Sequence, residues 1–145
     1  MALTHTAVFA QTPKTASATV TAAYALTGAG SLLDDAPNNT VKLMSAGLDG
    51  ALVTSIRVVP RATVTATQVA LFIRKASDAP EKRKLVAALL MPAQTVSATA
   101  KVTDYSFEVA SETTPLRLEA GDELYVGLAV AQANGVNVHA IYTDF

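Results

Sequence analysis

Apolar residues recur along this chain in short bursts broken by polar or turn-forming residues, and within several bursts they alternate with a period of two. Over 68–75, Val69, Leu71 and Ile73 fall on one side of an extended segment while Ala70, Phe72 and Arg74 fall on the other. Over 123–131, Leu124, Val126, Leu128 and Val130 alternate with Tyr125, Gly127 and Ala129. That period, with β-branched residues crowded between Gly, Asn, Asp and Pro, predicts strands over 17–25, 40–45, 52–59, 68–75, 84–91, 101–109, 123–131 and 136–142. A weaker ninth falls near Ser31. Both sides of these strands are rather apolar, so one is expected to face a second sheet and the other to be covered in part by neighbouring molecules.

Turn chemistry fits the same reading. Gly47-Leu48-Asp49-Gly50, Glu119-Ala120-Gly121-Asp122 and Asn134-Gly135 supply residues that tolerate positive φ between apolar bursts. Asn134-Gly135 is the strongest hairpin signal and predicts the last two strands as antiparallel neighbours. One stretch reads two ways. Pro80 followed by Glu81, Lys82, Arg83, Lys84 and an apolar run to Leu90 has good helix formers behind a first-turn proline. The β context on both sides, and a loop at Ser77-Asp78-Ala79-Pro80 able to close a hairpin, favour a strand. The expected fold is therefore all-β: a two-sheet antiparallel β-sandwich, most plausibly a jelly roll, over residues 17–145. Residues 1–16 read as an extended N-terminal arm, in which Thr4, Thr6, Thr12, Pro13, Lys14 and Thr15 surround the small apolar group Ala7, Val8, Phe9 and Ala10.

Composition sharpens this picture. Half of the 145 residues are hydrophobic but only 6% are aromatic, and 28 Ala, 18 Thr and 16 Val dominate the chain. A charged fraction of 16% leaves enough apolar surface to offset the entropy of ordering, which excludes disorder. No apolar run approaches the roughly 18 residues of a membrane-spanning helix. A net charge of −1 gives no global field for nucleic acid or an anionic membrane, and neither is expected as a partner. With no cysteine there is no disulfide, thiolate metal site or thiol catalysis, which suits assembly in a reducing cytoplasm. Nothing in the first residues reads as a secretory signal.

Candidate chemistry is sparse. His5 and His139 stand at opposite ends of the sequence without clustered ligands, so no metal or other cofactor is expected. The acids Asp34, Asp35, Asp104, Glu108, Glu112, Glu119, Asp122 and Glu123 lack the aromatic platforms of a glycosidase and read as solvated loop residues. Nucleophile elbows, phosphate-binding loops and dinucleotide fingerprints are missing, and no enzyme is expected. Arg74, Lys75, Lys82, Arg83 and Lys84 form a basic run around Asp78 and Glu81 that reads as a solvated hairpin, while 104–123 is acidic by contrast. Opposite local charges of this kind can steer one subunit onto another.

Several stretches together resemble a family of small proteins encoded among the head genes of tailed bacteriophages. They are Gln11-Thr12-Pro13-Lys14-Thr15 leading into a Thr/Ala-rich strand, Val41-Lys42-Leu43-Met44-Ser45-Ala46-Gly47-Leu48-Asp49-Gly50, and Val53-Thr54-Ser55-Ile56-Arg57-Val58. Further on come Thr65-Ala66-Thr67-Gln68-Val69-Ala70-Leu71-Phe72-Ile73, Leu118-Glu119-Ala120-Gly121-Asp122-Glu123-Leu124, and the ending Tyr142-Thr143-Asp144-Phe145. The resemblance runs from about Gln11 onward and rests on strand and turn patterns; the helix-like stretch at 81–90 departs from it. It implies a jelly-roll decoration or cement protein, made in the host cytoplasm and bound on the outer capsid surface of the virion. Its expected partners are the major capsid protein and its own copies, as a homotrimer, with no catalytic residues. Val8, Phe9 and Lys14 are the expected interface residues. The competing reading is a tail- or fibre-associated adhesin that binds a host surface glycan, which requires folding to gather Tyr24, Tyr105, Tyr125 and Tyr142 into an exposed cluster. A cupin-type enzyme is disfavoured because its histidine cluster is missing.

Overall fold

The alternation in the sequence becomes alternation in burial. A computed structural model describes residues 12–24 and 36–145. These form β1 (Thr12–Val20), β2 (Val41–Ser45), β3 (Ala51–Pro60), β4 (Thr67–Arg74), β5 (Lys84–Met91), β6 (Tyr105–Ser106), β7 (Leu116–Leu118), β8 (Glu123–Leu128) and β9 (Val136–Asp144), with no helix among the described residues. Seven of the predicted segments contain or overlap a long strand or its core; 101–109 pairs only at Tyr105 and Ser106, and the short β7 carries too little sequence to announce itself. The predicted strand near Ser31 lies outside the described residues, as does the arm up to Gln11. β1 starts at Thr12, so residues 12–16 already belong to the sheet.

One sheet has the order β1-β9-β3-β6, with β7 also paired to β3; the other has the order β2-β8-β4-β5. All these strand pairings are antiparallel. β6 lies opposite Arg57 and Val58 while β7 lies opposite Ala51, Leu52 and Val53, so the two short strands act as one interrupted strand along β3. With that pair counted once, the described residues make two four-stranded sheets and cross between them at nearly every connection. The fold is a β-sandwich with jelly-roll strand order.

Alternation explains the core. Val69 and Leu71 on β4, Leu124, Val126 and Leu128 on β8, and Val136, Val138 and Ala140 on β9 are fully buried between the sheets. On β3 the inward parity changes from Ala51 and Val53 to Ile56 and Val58. A bulge between Val53 and Ser55 absorbs the extra residue and keeps both pairs on the core face.

Residues 84–91 are a strand, paired residue by residue with β4 apart from a bulge at Val86. The loop Ser77-Asp78-Ala79-Pro80 closes the β4–β5 hairpin as the sequence indicated. Asn134-Gly135 does not join paired neighbours, however. β8 and β9 lie in different sheets, and the turn carries the chain across the sandwich, with Gly135 at φ 80°. A turn signature reports reversal of chain direction; which sheet receives the next strand is a tertiary matter.

Candidate functional site

The surface divides into three parts. The outer face of the β1-containing sheet is mainly polar, with Ile141 half-exposed on it. Thr19 Oγ1 donates to Asn137 Oδ1 at 2.8 Å, Ser17 Oγ lies 2.6 Å from His139 Nδ1, and Arg57 Nη1 is 3.8 Å from Asp104 Oδ2. A shallow depression of about 390 Å³ lies beside this track, lined by Thr54, Arg57, Phe107, Glu108 and Ile141 among others. The Ser17–His139 contact places a hydroxyl against an imidazole. The cross-strand neighbour of His139 on β3 is Arg57, a cation, where a nucleophile–base pair calls for a carboxylate or carbonyl to orient the ring. The contact ties β1 to β9. His139 is exposed and alternates with buried Val138 and Ala140, as its sequence position indicated.

The outer face of the other sheet carries a second small apolar cluster. Ala70, Phe72 and Tyr125 are buried there, and Tyr24 covers them, its ring edge-on to Phe72 with centroids 5.6 Å apart. Part of the cover predicted to come from neighbouring molecules is thus the chain's own. Tyr24 is held by its backbone N–H donating to the Leu128 carbonyl at 2.7 Å. Gly127 leaves room for it, since a Cβ there would stand 2.9 Å from Tyr24 Cδ1. The Arg83 guanidinium sits 4.1 Å from the centroid of Tyr125 and donates to Thr40 Oγ1 at 2.7 Å.

Beside this cluster, Glu123 gathers three close donors, Lys42 Nζ at 2.9 Å, Arg74 Nη1 at 3.0 Å and the Tyr125 hydroxyl at 2.8 Å, and a more distant fourth, Ser45 Oγ at 3.5 Å. Burial pushes its carboxyl up, but those three hydrogen bonds outweigh burial and hold it at about 2, against an ordinary 4.5. Burial and the bond to Glu123 both push the Tyr125 phenol up. Asp122 is fully buried and accepts from Lys75 Nζ at 2.7 Å and from the backbone N–H groups of Glu119 and Ala76. Burial pushes its carboxyl up too, and the Lys75 and backbone bonds hold it below 3.8. The solvated reading of these two acids is therefore corrected, and with it that of the basic run. Arg74, Lys75 and Arg83 are engaged within the chain, while Lys82 and Lys84 are exposed.

The third part is the free edge of β5. Among the described residues, β5 pairs with β4 alone, and no backbone hydrogen bond outside the strand ladders involves 84–91. A groove of about 430 Å³ runs between this edge and the opposite sheet, lined by Ala87, Ala88, Leu89, Ser106, Phe107, Glu108 and Val109. Beside it Leu90 is 69% exposed and Leu85 37%. A separate apolar projection is Leu48, 95% exposed at the tip of the turn between β2 and β3. That turn closes on Gly50, whose φ is 101° and where a Cβ would stand 2.5 Å from the Leu118 carbonyl oxygen, so only glycine fits.

Of the expected interface residues, Lys14 lies on β1, exposed and paired with the Asp144 carboxylate; Val8 and Phe9 lie outside the described residues. Among the described residues no group of three or more His, Asp or Glu side chains could hold a metal ion. This edge, open among the described residues, is only half legible in the sequence: 84–91 reads as a strand, but nothing marks it as the last of its sheet.

No protein-family model matches this chain. No curated protein matches it either. Among solved structures, it is similar to a chain of "Structure of infectious bursal disease virus Gx strain", at 10% identity and a TM-score of 0.33. The match covers 93% of this chain and 34% of that one, so this chain spans about a third of the length of its counterpart. At that TM-score the likeness adds nothing to the fold described above.

Proposed function

We propose that this protein is a structural component of a tailed-bacteriophage head, a decoration or cement protein that binds the assembled major capsid protein lattice from outside and stabilises it. The observation that carries this reading is an uncovered apolar surface on a sandwich several of whose charged residues pair with one another. Among the described residues, Leu85, Leu90 and the β5 groove are left uncovered. A lattice-binding part needs rigidity and contact area rather than convergent reactive groups, and the sequence resemblance to phage head proteins points the same way. Val8, Phe9 and Lys14 are assigned to contacts made on the lattice. The chain is made in the host cytoplasm and resides on the virion.

The adhesin alternative needs an exposed aromatic cluster. Tyr24 and Tyr125 instead pack with Phe72, Arg83 lying over Tyr125, and Tyr105 and Tyr142 pack against the main core. Electron microscopy of virions tests the proposal. Repeated density of this fold over the head lattice is the expected result; density confined to the tail, or its absence from the particle, overturns it.

A further inference from the structure

The turn that carries the chain from β8 to β9 holds a reactive pair. Of the four asparagines, Asn38, Asn39, Asn134 and Asn137, only Asn134 precedes a glycine. An asparagine is chemically labile where the backbone nitrogen of the next residue can attack its side-chain carbonyl, and glycine, having no Cβ, leaves that approach open. The attack makes two demands on the backbone. The Gly135 N–H must lose its proton to hydroxide, and its nitrogen must swing against Asn134 Cγ.

The folded chain withholds both. The Gly135 N–H donates to the Gln132 carbonyl at 2.9 Å and closes a β-turn with Ala133 and Asn134 at its centre. Gly135 is buried although Asn134 is exposed. Both ends of the turn are tied to the sandwich: the Gln132 N–H donates to the Thr21 carbonyl at 2.8 Å, and the Gly135 carbonyl accepts from the Arg61 N–H at 3.3 Å. The Gln132 side chain is itself buried, accepting from the Thr65 N–H at 3.2 Å and donating to the Thr65 carbonyl at 3.1 Å. The Gly135 nitrogen reaches Cγ only when this turn opens.

We infer that Asn134 is a self-modification site, deamidated through the backbone nitrogen of Gly135 at a rate set by opening of the 132–135 turn. The bond that forms joins Gly135 N to Asn134 Cγ; the bond from Cγ to the amide nitrogen breaks, ammonia leaves, and a succinimide ring results. Water then opens the ring at either carbonyl and gives aspartate or isoaspartate, with nothing oxidised or reduced. Isoaspartate routes the main chain through the former side chain and lengthens it by one methylene. The turn has no room for that. A Cβ on Gly135 would already stand 2.8 Å from Thr19 Cγ2 and 3.4 Å from the Val20 carbonyl oxygen. The next residue, Val136, opens β9 between Val20 and Pro60. A copy that reaches isoaspartate therefore cannot close its turn again, and a reversible opening becomes permanent. This chemistry stands whether or not the protein coats a capsid.

The full-length chain, folded or in concentrated guanidinium chloride, is incubated at mildly alkaline pH, and its digests are read by mass spectrometry for amide-to-acid conversion and for isoaspartate. In denaturant, Asn134 should convert well ahead of Asn38, Asn39 and Asn137. In the folded chain its conversion should be slower on the order of tenfold or more, because only the open turn reacts. Gln132→Ala, which removes the side-chain bonds to Thr65, should raise the folded rate several-fold and leave the denatured rate unchanged. The folded and denatured wild-type rates decide the matter even if that variant does not fold. The purified isoaspartyl chain should melt several degrees below Asn134→Asp, which adds the same charge without lengthening the backbone. Equal folded and denatured rates, faster conversion at another asparagine in denaturant, an unchanged folded rate in a folded Gln132→Ala chain, or an isoaspartyl chain as stable as Asn134→Asp overturns the inference.

Discussion

Glu123 shows why single residues here resisted reading from sequence. Its neighbours along the chain are Asp122 and Leu124, which say only that an acid opens a strand. What determines its state arrives from elsewhere: Lys42 from β2, Arg74 from β4, and the hydroxyl of Tyr125 from two positions on, on the same face of β8. Asp122 likewise looks like a turn acid and is instead the buried acceptor that pins the β7–β8 turn to Ala76. The Glu123 carboxyl is depressed in the folded state, so its stabilisation is fully present above the ordinary value of 4.5 and is lost as pH falls to about 2. With its side chain only 14% exposed, a gap of that size corresponds to about 3 kcal/mol. Glu123→Gln should therefore be less stable than wild type at neutral pH by an amount of that order, and the difference should shrink as pH falls from about 4.5 to about 2. Urea unfolding midpoints measured across that window check this, and a difference that stays constant with pH would count against the assignment.

At the scale of elements, alternation was legible and sheet membership was not. The period of two over 68–75 placed Val69 and Leu71 on one face and Phe72 on the other, and both sets are buried because each face has its own cover. Residues 81–90 satisfied a helix pattern, but helix propensities differ by tenths of a kcal/mol per residue, and pairing along the whole of β4 outweighs them. Asn134-Gly135 misled for the opposite reason: the local chemistry was right, yet a jelly roll sends the chain to the facing sheet there. The outer cluster on β4 and β8 is a real second core and should behave as one. Phe72→Ala is expected to cost about 3–5 kcal/mol in chemical unfolding. Gly127→Ala, which drives a methyl against Tyr24, should cost about 1–3 kcal/mol and disturb the tyrosine near-UV signal. Leu90→Lys, on the exposed edge, should leave monomer stability within about 0.5 kcal/mol of wild type. A large loss from Leu90→Lys would mean that the edge is already covered within one chain.

For the whole molecule, the surplus of Ala, Val and Thr over aromatics acquires a structural sense. Small and β-branched residues build strands apolar on both faces, and among the described residues β5 is one of the places where that surplus stays uncovered, with Leu48, Val130 and Ile141. Removal of the residues before Thr12 separates folding from the attachment proposed above. Because β1 begins at Thr12, a chain starting there keeps every described strand, whereas one starting at Ser17 would also lose five residues paired with β9. Burial of Val8 and Phe9 is worth roughly 3–6 kcal/mol before ordering costs. That is modest for one contact, but on the capsid reading many copies with modest contacts reinforce one shell through multivalency. On the capsid reading, the chain starting at Thr12 should melt within a few degrees of the full chain while its apparent affinity for empty phage heads falls by about a hundredfold or more. Thermal unfolding and cosedimentation with heads measure the two quantities separately. Undiminished head binding by the shortened chain would remove Val8 and Phe9 from the interface and leave the exposed side chains of the folded sandwich to carry attachment alone.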